Sequence, residues 1–478
     1  MIGRKREQQE LDELYNDGRA ELVAVYGRRR VGKTYLINET FSNDFSFKHT
    51  GLSPSELKGK GMAAAQLDHF YYSLMEYGLC DAARPKDWLE AFHLLRELLI
   101  QKDDGSRQVV FIDELPWLDT PRSGFITGFE AFWNGWGSSR HNLIVIVCGS
   151  ATSWMKDKLI QNYGGLYDRV THEIHLSPFN LYETEQFFLE RGINFSKYDI
   201  VESHMIVGGI PYYLGYFKRQ LSLAQSVDEI FFKEQAKLKG EFDRLFNSVF
   251  ANPTRIKSIV EFIAHRRLGY TRGEIAAGLG ISNNGKLSED LEALITSDFV
   301  VKYIPFGYSG KQEHYKLVDP FCLFYLHFIN RKKYSAYYWT ENISSGTVVS
   351  WRGFAFENVC FNHIGQIKAA LYIAGVGSSQ SAWSPRNNDG KDGMQIDMLI
   401  DRADNVINLC EIKYYSDVVC PDKNMYLTMI SRKNMVEQMV SRKKTVRNTL
   451  ITTFGIRKNE YASVFTNVIT IDDLFRDI

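Results

Sequence analysis

Along the first 215 or so residues, apolar positions come in short unbroken runs rather than in alternation: LVAVY at 22–26, VVFIDE at 109–114 and LIVIVCGS at 143–150. Stretches with helical spacing separate them. A run with no polar position has no face to give to water, so it predicts strands of a parallel sheet covered on both sides by helices. From about 250 to 330 the pattern changes to three short helices, Thr254–His265, Arg272–Leu279 and Asn284–Ser297, with Gly280-Ile281-Ser282 as the tight turn before the third. A hairpin, Phe299–Ile304 with His314–Val318, follows. The segment RKKYSAYYWTENISSG at 331–346 lacks clean periodicity and reads as a linker. Beyond it come a helix around Phe354 to Ile367, strands Met394–Asp401 and Val406–Lys413, a long basic helix and a last strand.

A chain of 478 residues holds two to four domains at the usual size. With 44% hydrophobic and 24% charged residues it can build real cores, which excludes a disordered or fibrous protein. Lys plus Arg and Asp plus Glu both total 57, so no overall field draws the molecule to nucleic acid or to an anionic membrane. Any basic surface is local. The N-terminus is charged throughout, and no stretch approaches the ~18 apolar residues of a membrane span, so a cytoplasmic protein with no membrane partner is expected. The six cysteines form no CxxC pair and are expected to be buried reduced thiols.

Directly after LVAVY stands Gly27-Arg28-Arg29-Arg30-Val31-Gly32-Lys33-Thr34, followed by helix-like YLINETF. This is GxxxxGK[ST] in its strand-loop-helix setting, a phosphate-binding loop. The glycines let backbone amides fold around phosphates, and the helix N-terminus adds partial positive charge. Lys33 is expected to reach the β and γ phosphates of ATP, and Thr34 to place its hydroxyl on Mg²⁺. At the end of the second run, Asp113 is placed to hold Mg²⁺ through water and Glu114 to polarise an attacking water. Ser150 ends the third run, where it either contacts the γ-phosphate or caps the next helix.

These residues resemble the AAA+ type P-loop ATPases first catalogued in archaea, on the STAND-like, signal-transduction side of that superfamily. The resemblance rests on the Ile2-Gly3-Arg4-x-x-Glu7 box, the GRRRVGKT loop, the FIDE strand and Gly208-Gly209-Ile210-Pro211-Tyr212-Tyr213-Leu214. It implies that Gly3 and Arg4 lie near the adenine and that the segment with Pro211 is a lid motif. Leu166-Tyr167-Asp168-Arg169 has Asp168 where the family usually has Gly, so Arg169 is either the arginine that contacts the γ-phosphate or a surface salt-bridge partner. The middle unit reads as a winged helix, and the resemblance implies the same. Its third helix carries Glu289, Asp290 and Glu292 against Lys286, which suits packing between domains better than a DNA groove.

In the C-terminal hairpin, Asp404-Asn405 supplies turn chemistry, and a turn centred on Asp404 sets Asp397 opposite Glu411 with Lys413 on the same face. Facing carboxylates ask for a cation, Mg²⁺ or Mn²⁺, between them. With Glu357 on the upstream helix, the set resembles the PD-(D/E)xK core of restriction-endonuclease-like folds, in which acids bind the metal and the lysine orients the attacking water. The basic residues between Arg432 and Arg447 are either a phosphate-binding helix or a solvated face.

The expected layout is α/β: a P-loop ATPase domain with helical lid at 1–245, a winged helix at 246–330, a linker at 331–347 and a nuclease-like domain at 348–478. The leading function is an ATPase coupled to a metal-dependent DNA nuclease in defence or genome maintenance. The alternatives are an ATP-controlled switch or scaffold that binds DNA or a protein partner without cleaving, and an ATP-dependent transcription regulator. Homo-oligomer formation stays open.

Overall fold

The runs that carry no polar position become strands buried along their whole length: β1 (Glu21–Tyr26), β3 (Gln108–Asp113) and β4 (Leu143–Gly149). With β2 (Phe47–Thr50) and β5 (His172–His175) they form a five-stranded, wholly parallel sheet in the order β2-β3-β4-β1-β5. A computed structural model describes residues 2–53, 61–161, 164–250, 252–308, 312–330, 334–383 and 395–478. Two compact units result: residues 1–177 with 243–253, and residues 178–242 with 254–478. In the first, β4 lies between β1 and β3, pairing Tyr26 with Gly149 and Ile112 with Val147, so the carboxyl ends of all three strands sit side by side. That edge receives the phosphate-binding loop. Gly27 has φ +145°, and a Cβ there would lie 2.3 Å from the Leu176 carbonyl oxygen, so only glycine passes this point unstrained.

The second unit takes the helical segment 178–242, which the sequence reading grouped with the ATPase domain as its lid. Helices Pro253–Ile263, Arg272–Leu279 and Gly285–Thr296 follow the expected pattern. Their ends are set by local chemistry: Thr271 and Glu274 form a capping box, Gly280 closes that helix in the left-handed region, and the Asn284 side chain caps the next. Strands β6 (Tyr270–Thr271), β7 (Val300–Tyr303) and β8 (His314–Leu317) form an antiparallel sheet in the order β6-β8-β7. Asp290 is buried and pairs with Arg255, so part of the acidic helix's charge is internal.

The expected linker is not a linker. Tyr338–Asn342 is helical and Trp339 is fully buried against Phe324, Phe328 and Trp351. Its backbone N–H donates to Asp228 at 2.8 Å and its indole N–H to Glu202 at 3.2 Å. Aromatic packing, which has no periodicity of its own, hides such a segment from pattern reading.

A second five-stranded sheet runs β13-β12-β11-β10-β9, with β9 (Ser378–Trp383), β10 (Ile396–Arg402) and β11 (Val406–Lys413) antiparallel and β12 (Thr445–Thr452) and β13 (Asn467–Thr470) continuing parallel. The expected start of β10 at Met394 lies outside the described residues. The basic helix is shorter than expected: Lys423–Met439 is helical, whereas Arg442 to Lys444 lie in a turn and Arg447 in β12. TVRNTLIT, rich in β-branched residues, pairs along the whole of β11 instead of continuing the helix. All described cysteines are unbridged; Cys148, Cys322, Cys360 and Cys410 are buried, Cys80 and Cys420 exposed. Among the described residues no helix is long and apolar enough to cross a membrane.

Trp339→Ala should lower the unfolding free energy of the second unit by about 3–5 kcal/mol in denaturant titration, as core truncation of a large aromatic does. A true linker would lose almost nothing.

Candidate functional sites

Lys33 is the first residue of helix Lys33–Thr40, whose N-cap, Gly32, has φ +96°. Its ammonium is buried and donates to Gly27 O at 3.0 Å, Arg28 O at 3.1 Å and Ser150 Oγ at 3.0 Å. An ammonium has three protons, and all three are accounted for. Ser150 passes the chain on: its hydroxyl donates to Glu114 Oε1 at 2.7 Å and its amide to Glu114 Oε2 at 3.1 Å. The short helix beyond is capped by Ala151, so Ser150 has not the capping role that the sequence left open. Glu114 itself sits at φ +48°, a left-handed turn off β3 that brings its carboxylate across to β4.

Beside this chain, the Thr34 hydroxyl donates to Asp113 Oδ2 at 2.7 Å, and Asp113 Oδ1 accepts from the Glu114 amide at 3.0 Å. Burial, and then the Glu114 charge, hold the Asp113 carboxyl above its usual range. A hydroxyl and a carboxylate in contact beside phosphate-binding amides form a hard-oxygen set that fits Mg²⁺, and an added cation would relieve what raises the Asp113 carboxyl.

Arg4 is buried, with Nη2 donating to Ser177 O at 2.6 Å and Val31 O at 3.3 Å and Nη1 pairing with Glu7 at 3.5 Å. It ties the N-terminal box, with Gly3 at φ +50°, to the phosphate-binding loop. Arg28 is buried, Arg29 and Arg30 are half-buried, and Arg30 takes φ +72°. Arg169 is exposed in the turn after Leu166. Pro211 opens the short helix Pro211–Leu214 within the second unit.

The second site lies on the C-terminal sheet. β10 and β11 pair Met398 with Cys410 and Leu399 with Leu409, and the same register carried one step on sets Asp397 level with Glu411. Asp397 Oδ2 accepts the Ile412 amide at 2.9 Å. The expectation of two uncompensated carboxylates is corrected here. Glu411 Oε1 pairs with Lys413 at 2.6 Å, and Glu411 Oε2 pairs with Arg432 from helix Lys423–Met439. Both oxygens are engaged by cations without any metal. Glu357, on helix Gly346–Asn362, pairs with Arg267 at 3.6 Å.

Burial, and then the Asp397 charge, raise the Glu357 carboxyl to about 7. Burial, and then the Glu411 charge, raise Asp397 to about 6. Burial also pushes the nearby Lys316 ammonium on β8 down to about 8. Arg432, Arg267 and Lys316 were missed as site residues because each arrives from a different element. The one available signal was Lys316, a lone cation entering the apolar stretch LVDPFCLF. Among the described residues no group of three or more His, Cys, Asp or Glu side chains is arranged to hold a metal ion.

Residues 1–217 match the family described as an ATPase domain predominantly from Archaea. An uncharacterized protein of Methanocaldococcus jannaschii is 26% identical over 331 residues, 69% of each chain. An uncharacterized ATP-binding protein of the same organism is 45% identical over 43 residues, 9% of this chain and 73% of its own. Among solved structures, the Walker-type ATPase of Pyrococcus abyssi aligns at a TM-score of 0.47 and 19% identity over 69% of this chain and 96% of that one.

The raised carboxyls set a pH dependence. The fold favours their protonated forms, so their contribution is fully present below the ordinary values of 3.8 and 4.5 and is lost as pH rises through about 6 and about 7. The double variant Asp397→Asn, Glu357→Gln removes that loss. Its melting temperature relative to wild type should rise between about pH 4.5 and about pH 8; a constant difference would show that neither carboxyl is perturbed.

Proposed function

We propose that this protein, whose residues 1–217 match the predominantly archaeal ATPase domain family, is an ATP-hydrolysing, nucleotide-controlled switch whose C-terminal domain engages DNA through a PD-(D/E)xK-like fold. The observation that carries the reading is the chain Lys33–Ser150–Glu114, with the Thr34–Asp113 pair beside it. In it the phosphate-binding cation and the water-polarising carboxylate share one hydroxyl. Phosphate oxygens are stronger acceptors than the loop carbonyls, so ATP would take the Lys33 protons from Gly27 O and Arg28 O and from Ser150. Ser150 and Glu114 then lose one of their constraints, and Glu114 is left to accept a proton from water. Thr34 and Asp113 would hold Mg²⁺, which when bound neutralises charge on the β and γ phosphates. The family match supports the ATPase; the roles of these residues are the proposal.

For the C-terminal domain, the order helix, three antiparallel strands, helix and parallel strand supports a restriction-endonuclease-like fold, and the elements at 253–317 support a winged helix. Cleavage is the second reading, favoured by the meeting of Glu357, Asp397, Glu411 and Lys413 at one edge. As the side chains stand, however, Arg432 and Lys413 occupy the oxygens that a Mg²⁺ or Mn²⁺ ion would need. The residues do not fit the ion in this arrangement, and it is this that favours the switch over the nuclease.

Lys33→Ala should abolish ATP hydrolysis and weaken ATP binding, while Glu114→Gln should keep ATP bound and slow turnover by about 10²-fold or more, measured by phosphate release and by equilibrium binding. Unchanged turnover in both would remove the ATPase site. Single- and double-stranded DNA incubated with the protein and Mg²⁺ or Mn²⁺, with and without ATP, should be bound and remain intact. Metal-dependent cleavage that disappears in Asp397→Ala would overturn the switch in favour of the nuclease.

A further inference from the structure

A cavity of about 450 Å³ opens in the second unit, lined by Lys316 and Leu317 of β8, by Arg266 and Arg267 after helix Pro253–Ile263, and by Glu357 and Asn358 of helix Gly346–Asn362. Its volume is that of a small-ligand site. Lys316 is 4% exposed. Among the described residues its ammonium makes neither a hydrogen bond nor an ion pair. The Phe361 ring lies 4.3 Å from Nζ to the centroid. A buried ammonium with no bonded acceptor has protons to give to an anion that comes close. Glu357 and Asp397 favour its charged form through space, but neither bonds the ammonium, and the Glu357 carboxylate pairs with Arg267. Arg267 also lies over the Phe354 ring, and both residues line the cavity. Asn358 also lines the cavity, and among the described residues its buried Oδ1 accepts no hydrogen bond.

The two unmet groups ask for one ligand with an anionic acceptor at Lys316 and an N–H or O–H donor at Asn358. We propose that this cavity binds a nucleoside phosphate, its phosphate between Lys316 and Arg267 and its base or sugar donor on Asn358. The chemistry is shared by a free nucleotide and by the phosphorylated end of a DNA strand. The site shares no residue with the phosphate-binding loop and does not rest on the ATPase reading, since ATP hydrolysis does not enter it.

The test is calorimetric titration of the full chain carrying Lys33→Ala, which silences the phosphate-binding loop, with thymidine monophosphate, thymidine and 5′-phosphorylated dithymidylate. A phosphorylated probe should bind at least ten-fold more tightly than thymidine. Lys316→Met keeps the side-chain volume and removes a buried charge that makes no ion pair, so it should melt no lower than its parent and lose at least ten-fold in affinity. Arg267→Gln, at a half-exposed position, should lose several-fold. Tighter binding of the dinucleotide assigns a strand end, and tighter binding of the mononucleotide a free nucleotide. No binding by either phosphorylated probe, or binding unchanged in both variants, overturns the proposal. ATP turnover of the same substitutions in the wild-type background should be unaltered, which separates failure here from failure of the ATPase reading.

Discussion

A buried ammonium must keep its three protons bonded, and at Lys33 that demand organises the N-terminal site. Two acceptors are carbonyls of the loop itself and the third is Ser150, carried in at the end of β4. The loop can close on its own lysine only because Gly27 passes under Leu176 where a side chain would collide. Through Ser150 the same bond reaches Glu114 at the end of β3. Three strand ends are joined by one cation, so a phosphate that replaces any of its acceptors is felt at the carboxylate. The parallel sheet matters because its order sets β1, β4 and β3 as neighbours.

The C-terminal cluster obeys the same rule with the signs reversed. Glu411 is buried and both its oxygens are met, by Lys413 and Arg432, so no metal is required to make the arrangement tolerable. Asp397 and Glu357 are less completely met and respond by holding their protons to higher pH. Lys316 is the exception. It lies against the Phe361 ring, and the Glu357 and Asp397 charges act on it through space without bonding it.

What could be read from the sequence was what is encoded locally. The strand-loop-helix around Lys33 lies within a score of residues, and unbroken apolar runs specify β1, β3 and β4 without reference to the rest of the fold. Asp404-Asn405 fixes the β10–β11 register because the turn fixes it, and caps such as Thr271, Gly280 and Asn284 mark helix ends by their own hydrogen bonds. What could not be read depends on partners distant in the chain. Arg432 meets Glu411 across 21 residues, Arg267 meets Glu357 across 90, and Trp339 is buried by aromatics from other elements. Ser150 fell between the two: its position was visible at the end of β4, but its bond to Lys33 spans 117 residues and could not be read locally.

The most direct measurement is a crystal structure of the full chain with Mg²⁺ and a non-hydrolysable ATP analogue. Lys33 Nζ should lie within hydrogen-bond reach of phosphate oxygens, no longer on Gly27 O and Ser150 Oγ, with the Thr34 hydroxyl and the Asp113 carboxylate turned to the metal. An analogue bound while Lys33 still holds Gly27 O, Arg28 O and Ser150 Oγ would contradict the account.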